Sequence, residues 1–219
     1  MKYIVTGING GLGKYLYENI PNSLGIDRTN LNLVSSRIEK DDVIVHCAFN
    51  KSNEPIDLNG YLEDNIFLTK KLLKLGNRMI YISSIDVYLQ NNLYAQFKKF
   101  GEALVSSYPN NLILRCPALV GEHMKPNHLH KIMSNETIGL SEKSTFNYIL
   151  YSDVLDNIFD KKIGTYELVT KENASLDKVK RLFQSNSNLG TYLYMTPKKF
   201  TNPIMLDKTS IDTLKSYFI

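Results

Sequence analysis

MKYIVTGINGGLG, residues Met1 to Gly13, is the stretch whose reading decides the fold. A short apolar run, Tyr3, Ile4 and Val5, ends in Thr6-Gly7, and further glycines follow at Gly10, Gly11 and Gly13. Leu12-Gly13-Lys14-Tyr15-Leu16-Tyr17 then sets apolar residues at helical spacing. Strand, glycine turn and helix, in that order, form the context in which a glycine fingerprint binds a dinucleotide. Gly7 would permit the tight turn, Gly10 would let a pyrophosphate approach the backbone, and Gly13 would let the helix pack close to the strand. The start of the helix, from Asn9 through Gly10, Gly11 and Leu12, would offer amide N–H groups and a positive dipole end to phosphates. A strand–turn–helix that is merely glycine-rich would read the same way, so the remaining residues must decide.

The 219 residues have room for one large domain, or one domain with a small lobe. Hydrophobic content of 43% and charged content of 22% are those of a globular protein with a real core. The net charge of +4 is mild, and no Lys/Arg block interleaved with aromatic residues points to nucleic acid. Cys47 and Cys116 each lie in an apolar, strand-like run and are expected as buried free thiols rather than a disulfide or a metal pair. No apolar run approaches the roughly 18 residues of a membrane span, and no signal peptide precedes the first strand. A cytoplasmic location is expected.

The spacing G-x-x-G-x-x-G within Thr6-Gly7-x-x-Gly10-x-x-Gly13 resembles the short-chain dehydrogenase/reductase superfamily, in particular its extended branch. Ser23 to Asp27 reads as a second strand, and Asp27 falls 20 residues after Gly7, where an acid accepts hydrogen bonds from an adenosine ribose. Arg28 follows at once, and an arginine there can pair with a 2′-phosphate instead. The two residues argue for different cofactors. The run Arg28 to Leu33 resembles the R-x-x-L-x-L of NADP-using nucleotide-sugar reductases and GDP-fucose synthases, which inclines the reading to NADP over NAD. Val43 to Ala48 is a continuous apolar run of the kind found in parallel strands buried on both faces. In the family the strand at this place ends in a small-residue loop beside the pyrophosphate, which puts Ala48 there. His46 reads as a packed core histidine.

From Tyr61 to Leu75 apolar residues recur at helical spacing, and Gly76-Asn77 stops the helix. Asn65 matches the family asparagine of N-x-x-x-T-x-x-L-L, associated with a helix bend and a proton relay, although a solvent-facing asparagine reads equally well. Arg78 to Ser84 is the next buried strand, and Ser84-Ile-Asp-Val-Tyr88 resembles the family's S-S/T-x-x-V-Y segment. Tyr94-Ala-Gln-Phe-Lys98 then supplies Y-x-x-x-K at the start of a helix running to about Tyr108. Among fourteen tyrosines such a pattern also arises by accident, and Tyr194-Met-Thr-Pro-Lys198 reads as one. On a helix, positions i and i+4 share a face, so phenol and ammonium can converge. A free phenol has a pKa of about 10, too high for proton transfer at neutral pH, and a nearby cation lowers it. The resemblance thus implies Ser84, Tyr94, Lys98 and Asn65 as the catalytic set, with Lys98 also holding the nicotinamide ribose. The chain departs from the family in the ten positions from Ser84 to Tyr94, a shorter interval than usual, and in Leu89 where a glycine is common.

Asn111 to Pro117 reads as a further parallel strand. His123, His128 and His130 lie in one segment without a partner cysteine or acidic shell, so a metal is not expected, and a pocket role for His123 or His128 is the better reading. Phe146 to Val154 resembles the family's strand-then-V-x-D-V return to the nucleotide domain. A helix over 153–160, a strand over 165–169, a helix over 175–183 capped by Ser175, and a final helix over 210–218 follow. The expected fold is α/β, a Rossmann-type doubly wound parallel sheet with a small discontinuous C-terminal substrate lobe. Residues 1–117 plus about 146–170 form the NAD(P)-binding domain, and about 118–145 plus 171–219 the lobe. The resemblance implies an NAD(P)-dependent enzyme acting on a nucleotide-activated sugar, first a 4-keto-sugar reductase and second an epimerase. A non-catalytic cofactor sensor or structural protein is the alternative of another class. A homodimer through the helices over about 61–75 and 93–108 is expected by analogy alone.

Overall fold

The computed structural model describes residues 1–27, 29–31, 34, 36–49, 58–89 and 92–219. Arg28 lies outside the described residues. The first strand, β1 (Tyr3–Thr6), runs into the glycine turn and α1 (Gly11–Asn19), and β2 (Leu24–Ile26) and β3 (Val43–His46) follow. The next helix, α2, is a run of three segments, Leu58–Leu62, a π turn over Glu63–Phe67, and Leu68–Leu73. Strand β4 (Arg78–Ser84) leads through a 3₁₀ turn (Ile85–Tyr88) to α3 (Leu93–Ser106) and β5 (Leu112–Cys116). The chain then builds a smaller unit from β6 (Ala118–Val120), α4 (His128–Met133), β7 (Ile138–Leu140), β8 (Thr145–Phe146) and β9 (Tyr148–Leu150). It returns through α5 (Tyr151–Ile158) and β10 (Gly164–Thr170). The last elements are β11 (Ala174–Ser175), α6 (Leu176–Leu182), β12 (Leu189–Tyr192), β13 (Pro203–Leu206) and α7 (Ser210–Phe218).

Seven strands make one parallel sheet in the order β13-β10-β5-β4-β3-β1-β2. Alternate residues of each strand point to opposite faces, and both faces are covered. Val5, Val45, Ile80, Ile82, Leu112 and Leu114 pack under Leu12 and Leu16 of α1 and Val154 and Ile158 of α5. Their neighbours Ile4, Ile44, Met79, Tyr81 and Ile113 pack under Leu72 and Leu73 of α2 and Val105 of α3. This two-sided burial is why the strands read as unbroken apolar runs. The chain leaves β1 towards β2 on one side and crosses back to β3 on the other. In open sheets of this kind such a reversal opens a crevice at the carboxyl ends of the strands.

The smaller unit has its own core, with Val120, Leu129, Ile132, Ile138, Tyr148, Leu176, Val179 and Leu214 buried together. Two features differ from the expected division. Strand β9, assigned to the nucleotide domain, pairs with β6 outside the main sheet. Strand β13, assigned to the lobe, pairs with β10 as the edge of the main sheet. Pro203–Leu206 is four residues long with two exposed side chains, too short for periodicity to mark it as a strand.

Candidate functional site

The carboxyl ends of β1, β3 and β4 bring Gly7, Ala48 and Ser84 to one end of the sheet. Gly7 has φ +77°, and a Cβ there would lie 2.8 Å from the Ala48 backbone nitrogen. A Cβ on Gly13 would lie 2.3 Å from the Gly7 carbonyl oxygen, so α1 packs against the turn more closely than any side chain allows. Gly10 has nothing within 4 Å of its Cβ position. Gly7 thus makes a tight turn and Gly13 a close packing, and an open Gly10 at the head of a helix leaves room that a pyrophosphate would fit. Asn9 is exposed at the same turn, and Leu12 and Gly13 are buried behind it. Gly11 behaves differently from the expectation, because its N–H donates to the His123 carbonyl at 3.0 Å. His123, at φ +63°, folds its loop over the start of α1 and takes up that amide.

Behind the turn lies a buried hydrogen-bonded chain. The Ala48 N–H donates to Thr6 Oγ1 at 3.1 Å, and Thr6 Oγ1 lies 2.8 Å from His46 Nδ1. His46 Nε2 lies 2.9 Å from Thr69 Oγ1, which donates to the Asn65 carbonyl at 2.7 Å. Thr69 has one hydroxyl proton and gives it to Asn65, so it accepts from His46, and the imidazole carries its proton on Nε2. Burial, with the Lys98 charge, lowers the His46 pKa to about 3. This is a neutral core histidine. Asn65 is buried within the π turn of α2, so the bend expected there exists as an extra-wide turn rather than a proline or glycine kink.

Ser84 ends β4 and caps the 3₁₀ turn, its hydroxyl accepting from the Asp86 N–H at 3.1 Å. Asn92 caps α3 by accepting from the Ala95 N–H at 2.9 Å, which sets Tyr94 in the first turn of the helix. Ser84, Tyr94 and Lys98 line one cavity together with Gly10, Gly13 and Cys47. Burial and then the Asp86 carboxylate push the Tyr94 phenol above its ordinary value, while a hydrogen bond from Ser84 pulls the other way. Lys98 donates to the Ile82 carbonyl at 2.7 Å, with its ammonium 4.4 Å from the Phe49 ring centre and 4.9 Å from that of Tyr81. Burial lowers its pKa to about 8. The sequence reading had Lys98 lowering the phenol; in the protein's own environment, burial and Asp86 outweigh any such effect.

Asp27 follows β2 and its Oδ1 accepts from the N–H and hydroxyl of Thr29 and from the Asn30 N–H, which holds the carboxyl below its ordinary value. It closes a turn at the place expected for the ribose. The three clustered histidines go to separate partners: His123 to Glu18 at 3.0 Å, His128 to the Tyr148 hydroxyl at 2.7 Å, and His130 to the Asn127 N–H at 3.3 Å. Cys47 and Cys116 are free thiols, raised to about 12 by burial. Arg115 of β5 fixes α3 to the sheet, pairing with Glu102 at 2.7 Å and Glu167 at 3.0 Å and donating to the Tyr88 hydroxyl at 2.9 Å.

Sequence reasoning missed one side chain that meets the turn after Ser84. Tyr194, set aside as part of a chance pattern, donates its hydroxyl to Asp86 Oδ1 at 2.6 Å. Its ring stacks on Phe146 at 4.6 Å, and Phe146 stacks on His128 at 4.2 Å. No local pattern announces this contact, since 108 residues separate the partners.

No protein-family model matches the sequence, and no curated protein does. Solved structures do match. A dTDP-4-dehydrorhamnose reductase from Clostridium acetobutylicum superposes with TM-score 0.74 at 18% identity, over 99% of this chain and 98% of that one. RMD from Pseudomonas aeruginosa, complexed with NADPH, gives 0.74 at 16%, over 99% and 98%. MoeE5, in complex with UDP-glucuronic acid and NAD, gives 0.72 at 16%, over 98% and 93%. The chain has their fold. Among the described residues no helix is long and apolar enough to cross a membrane, and no group of three His, Cys, Asp or Glu side chains could hold a metal ion.

Proposed function

We propose that this chain is a member of the extended short-chain dehydrogenase/reductase family, an NAD(P)-dependent oxidoreductase that reduces a 4-keto group on a nucleotide-activated sugar. The observation that carries the reading is the convergence of Ser84, Tyr94 and Lys98 in one cavity with the open Gly10 turn. The shared fold with a dTDP-4-dehydrorhamnose reductase and with an NADPH-complexed neighbour supports it. Gly7, Asn9, Gly10, Gly11, Leu12, Gly13 and Ala48 would hold the dinucleotide, with Asp27 and Arg28 near its adenosine ribose. NADP remains the first choice and NAD the second, because one oxygen of Asp27 is already engaged by Thr29 and Asn30.

When bound, the reduced nicotinamide supplies a hydride to the carbonyl carbon. The protein's own groups deal with the oxygen: Ser84 donates a hydrogen bond to it and Tyr94 gives it a proton, leaving a hydroxyl. Lys98, now on the Ile82 carbonyl, would hold the nicotinamide ribose, and Asn65 in the π turn of α2 would serve the proton relay that the resemblance implies. Purified protein with NADPH or NADH and a panel of nucleotide 4-keto-sugars tests this. Cofactor oxidation in step with product supports a reductase. Interconversion of sugar isomers without net oxidation replaces it by an epimerase, a reaction for which the UDP-galactose 4-epimerase neighbour gives the same fold at TM-score 0.71. Cofactor binding with no product from any sugar replaces both by a sensor, the reading that the turning of Lys98 towards Ile82 and Phe49 favours.

A further inference from the structure

Tyr151 opens α5 from inside the core, 4% exposed, with its ring centre 5.6 Å from that of Tyr15. Gly121 makes the room, since a Cβ there would lie 2.3 Å from the Tyr151 ring. The hydroxyl emerges at the head of α1. A Cβ built on Gly11 would lie 3.4 Å from Tyr151 Oη, and outside the helix's own turn no other described residue comes within 4 Å of it. The same position on Gly10 has nothing within 4 Å. Tyr151 Oη makes no hydrogen bond to a described residue. Among the described residues Arg78 Nε is the only side-chain nitrogen or oxygen both sealed and unpartnered, so Tyr151 Oη is not sealed, and the space beside it is that off Gly11. At the same residue the Gly11 N–H is spent on the His123 carbonyl at 3.0 Å. A helix head holds an anion through its unpaired donors. Here one amide is taken, and a phenol stands beside it. Burial first, then Tyr217 and Cys47, raises that phenol to about 12, so it keeps its proton at neutral pH.

Resting on the NAD(P) reading above, we propose that Tyr151 is a dinucleotide-binding residue, its hydroxyl donating to the cofactor's diphosphate at the head of α1, where the His123 carbonyl has taken the Gly11 N–H. The donor comes from the segment that returns the chain to the sheet, far in sequence from the glycine turn. A hydrogen bond from a neutral phenol to a phosphate oxygen is charge-assisted, and a phenylalanine in its place would offer the anion only an apolar edge. A nucleotide sugar carries a diphosphate too. The place of Tyr151 Oη beside Gly11, at the positive end of the α1 dipole, commits it to the dinucleotide.

The test is calorimetric titration of the full chain with NADPH, NADH and UDP-glucose, joined to ³¹P spectra of the bound dinucleotide. Tyr151→Phe should weaken the tighter-binding dinucleotide roughly tenfold. It should also move the diphosphate ³¹P resonances of the bound dinucleotide, and without ligand it should melt no lower than the wild type, because the hydroxyl it removes has no protein partner. Tyr151→Met, apolar and able to fill the same space, should reproduce the loss of affinity, which guards against one variant failing to fold. A merely structural Tyr151 would lower the melting temperature and leave the dissociation constant within about twofold, and that result overturns the assignment. Weakened binding with the diphosphate resonances unmoved overturns it as well, as does a loss confined to UDP-glucose. A wild-type chain that binds neither NADPH nor NADH overturns the NAD(P) reading and this assignment with it.

Discussion

Tyr94 is held above the ordinary phenol range by burial and by Asp86, so at neutral pH it is a proton donor. Tyr94→Phe keeps the ring and removes the proton, and turnover should fall by about 10²-fold or more while the NADPH dissociation constant stays within about twofold. A variant with unchanged turnover would remove Tyr94 as the proton donor. His46 makes a second prediction through stability. Its folded pKa of about 3 lies below the ordinary value of 6.5. Between those limits the unfolded chain binds a proton that the folded chain refuses, so stability rises with pH across the window. The contribution is fully present above about pH 6.5 and drains away towards pH 3, at roughly 1.4 kcal/mol per unit. Denaturant unfolding at pH 7 and 4.5 should show a shallower acid loss in His46→Asn than in the wild type. At this scale the sequence was a good guide to identity and a poor one to charge. That Ser84, Tyr94 and Lys98 come to one cavity was legible from strand-end and helix spacing, but the direction of the Tyr94 shift depended on burial and on Asp86.

At the scale of elements, the glycine turn and the helix after it make different demands on their glycines. Gly13 and Gly10 both belong to the fingerprint, yet only Gly13 is sterically locked. Gly13→Ala should cost about 1–3 kcal/mol or more, read as a lowered melting temperature, because its methyl would press on the Gly7 carbonyl. Gly10→Ala should melt like the wild type and lose roughly tenfold in NADPH affinity, since its methyl would fill the space a pyrophosphate needs. A loss of stability in both would end the distinction. Helix α3 carries Tyr94 and Lys98, and its register on the sheet is set by Arg115 between two buried carboxylates. Arg115→Met leaves Glu102 and Glu167 uncompensated and should cost about 3–5 kcal/mol in denaturant unfolding. Glu102 and Glu167 were invisible as partners beforehand, because one lies on a helix and the other on a strand that meets it only in the folded sheet.

At the scale of the whole molecule, α2 and α3 lie side by side and expose large apolar side chains. Phe67 is 42% exposed and Phe100 65%. We propose this face as the homodimer surface, a four-helix contact between two copies. Phe100→Asp should then convert a dimer to a monomer in sedimentation velocity at micromolar concentration, with the far-UV spectrum unchanged. A wild-type monomer at the same concentration would remove the proposal. The C-terminal segment and the sheet are also joined at this scale, by Tyr194 reaching Asp86 and by Tyr88 meeting Thr201.

The sequence by itself determined the doubly wound sheet and its glycine turn, and it pointed to Ser84, Tyr94 and Lys98, which line one cavity, because each depends on contacts within one strand, one helix or one turn between them. Period-two burial, a four-residue step along a helix and the steric demands of glycine are local properties, and they survive being read one stretch at a time. The tertiary structure alone decided the rest. It placed β13 at the sheet edge, closed the hydrogen-bonded chain from Ala48 to Asn65 through His46, turned Lys98 towards Ile82, and brought Tyr194 to Asp86. Those outcomes depend on groups far apart in the chain competing for a few buried protons and charges, and only packing chooses among the competitors.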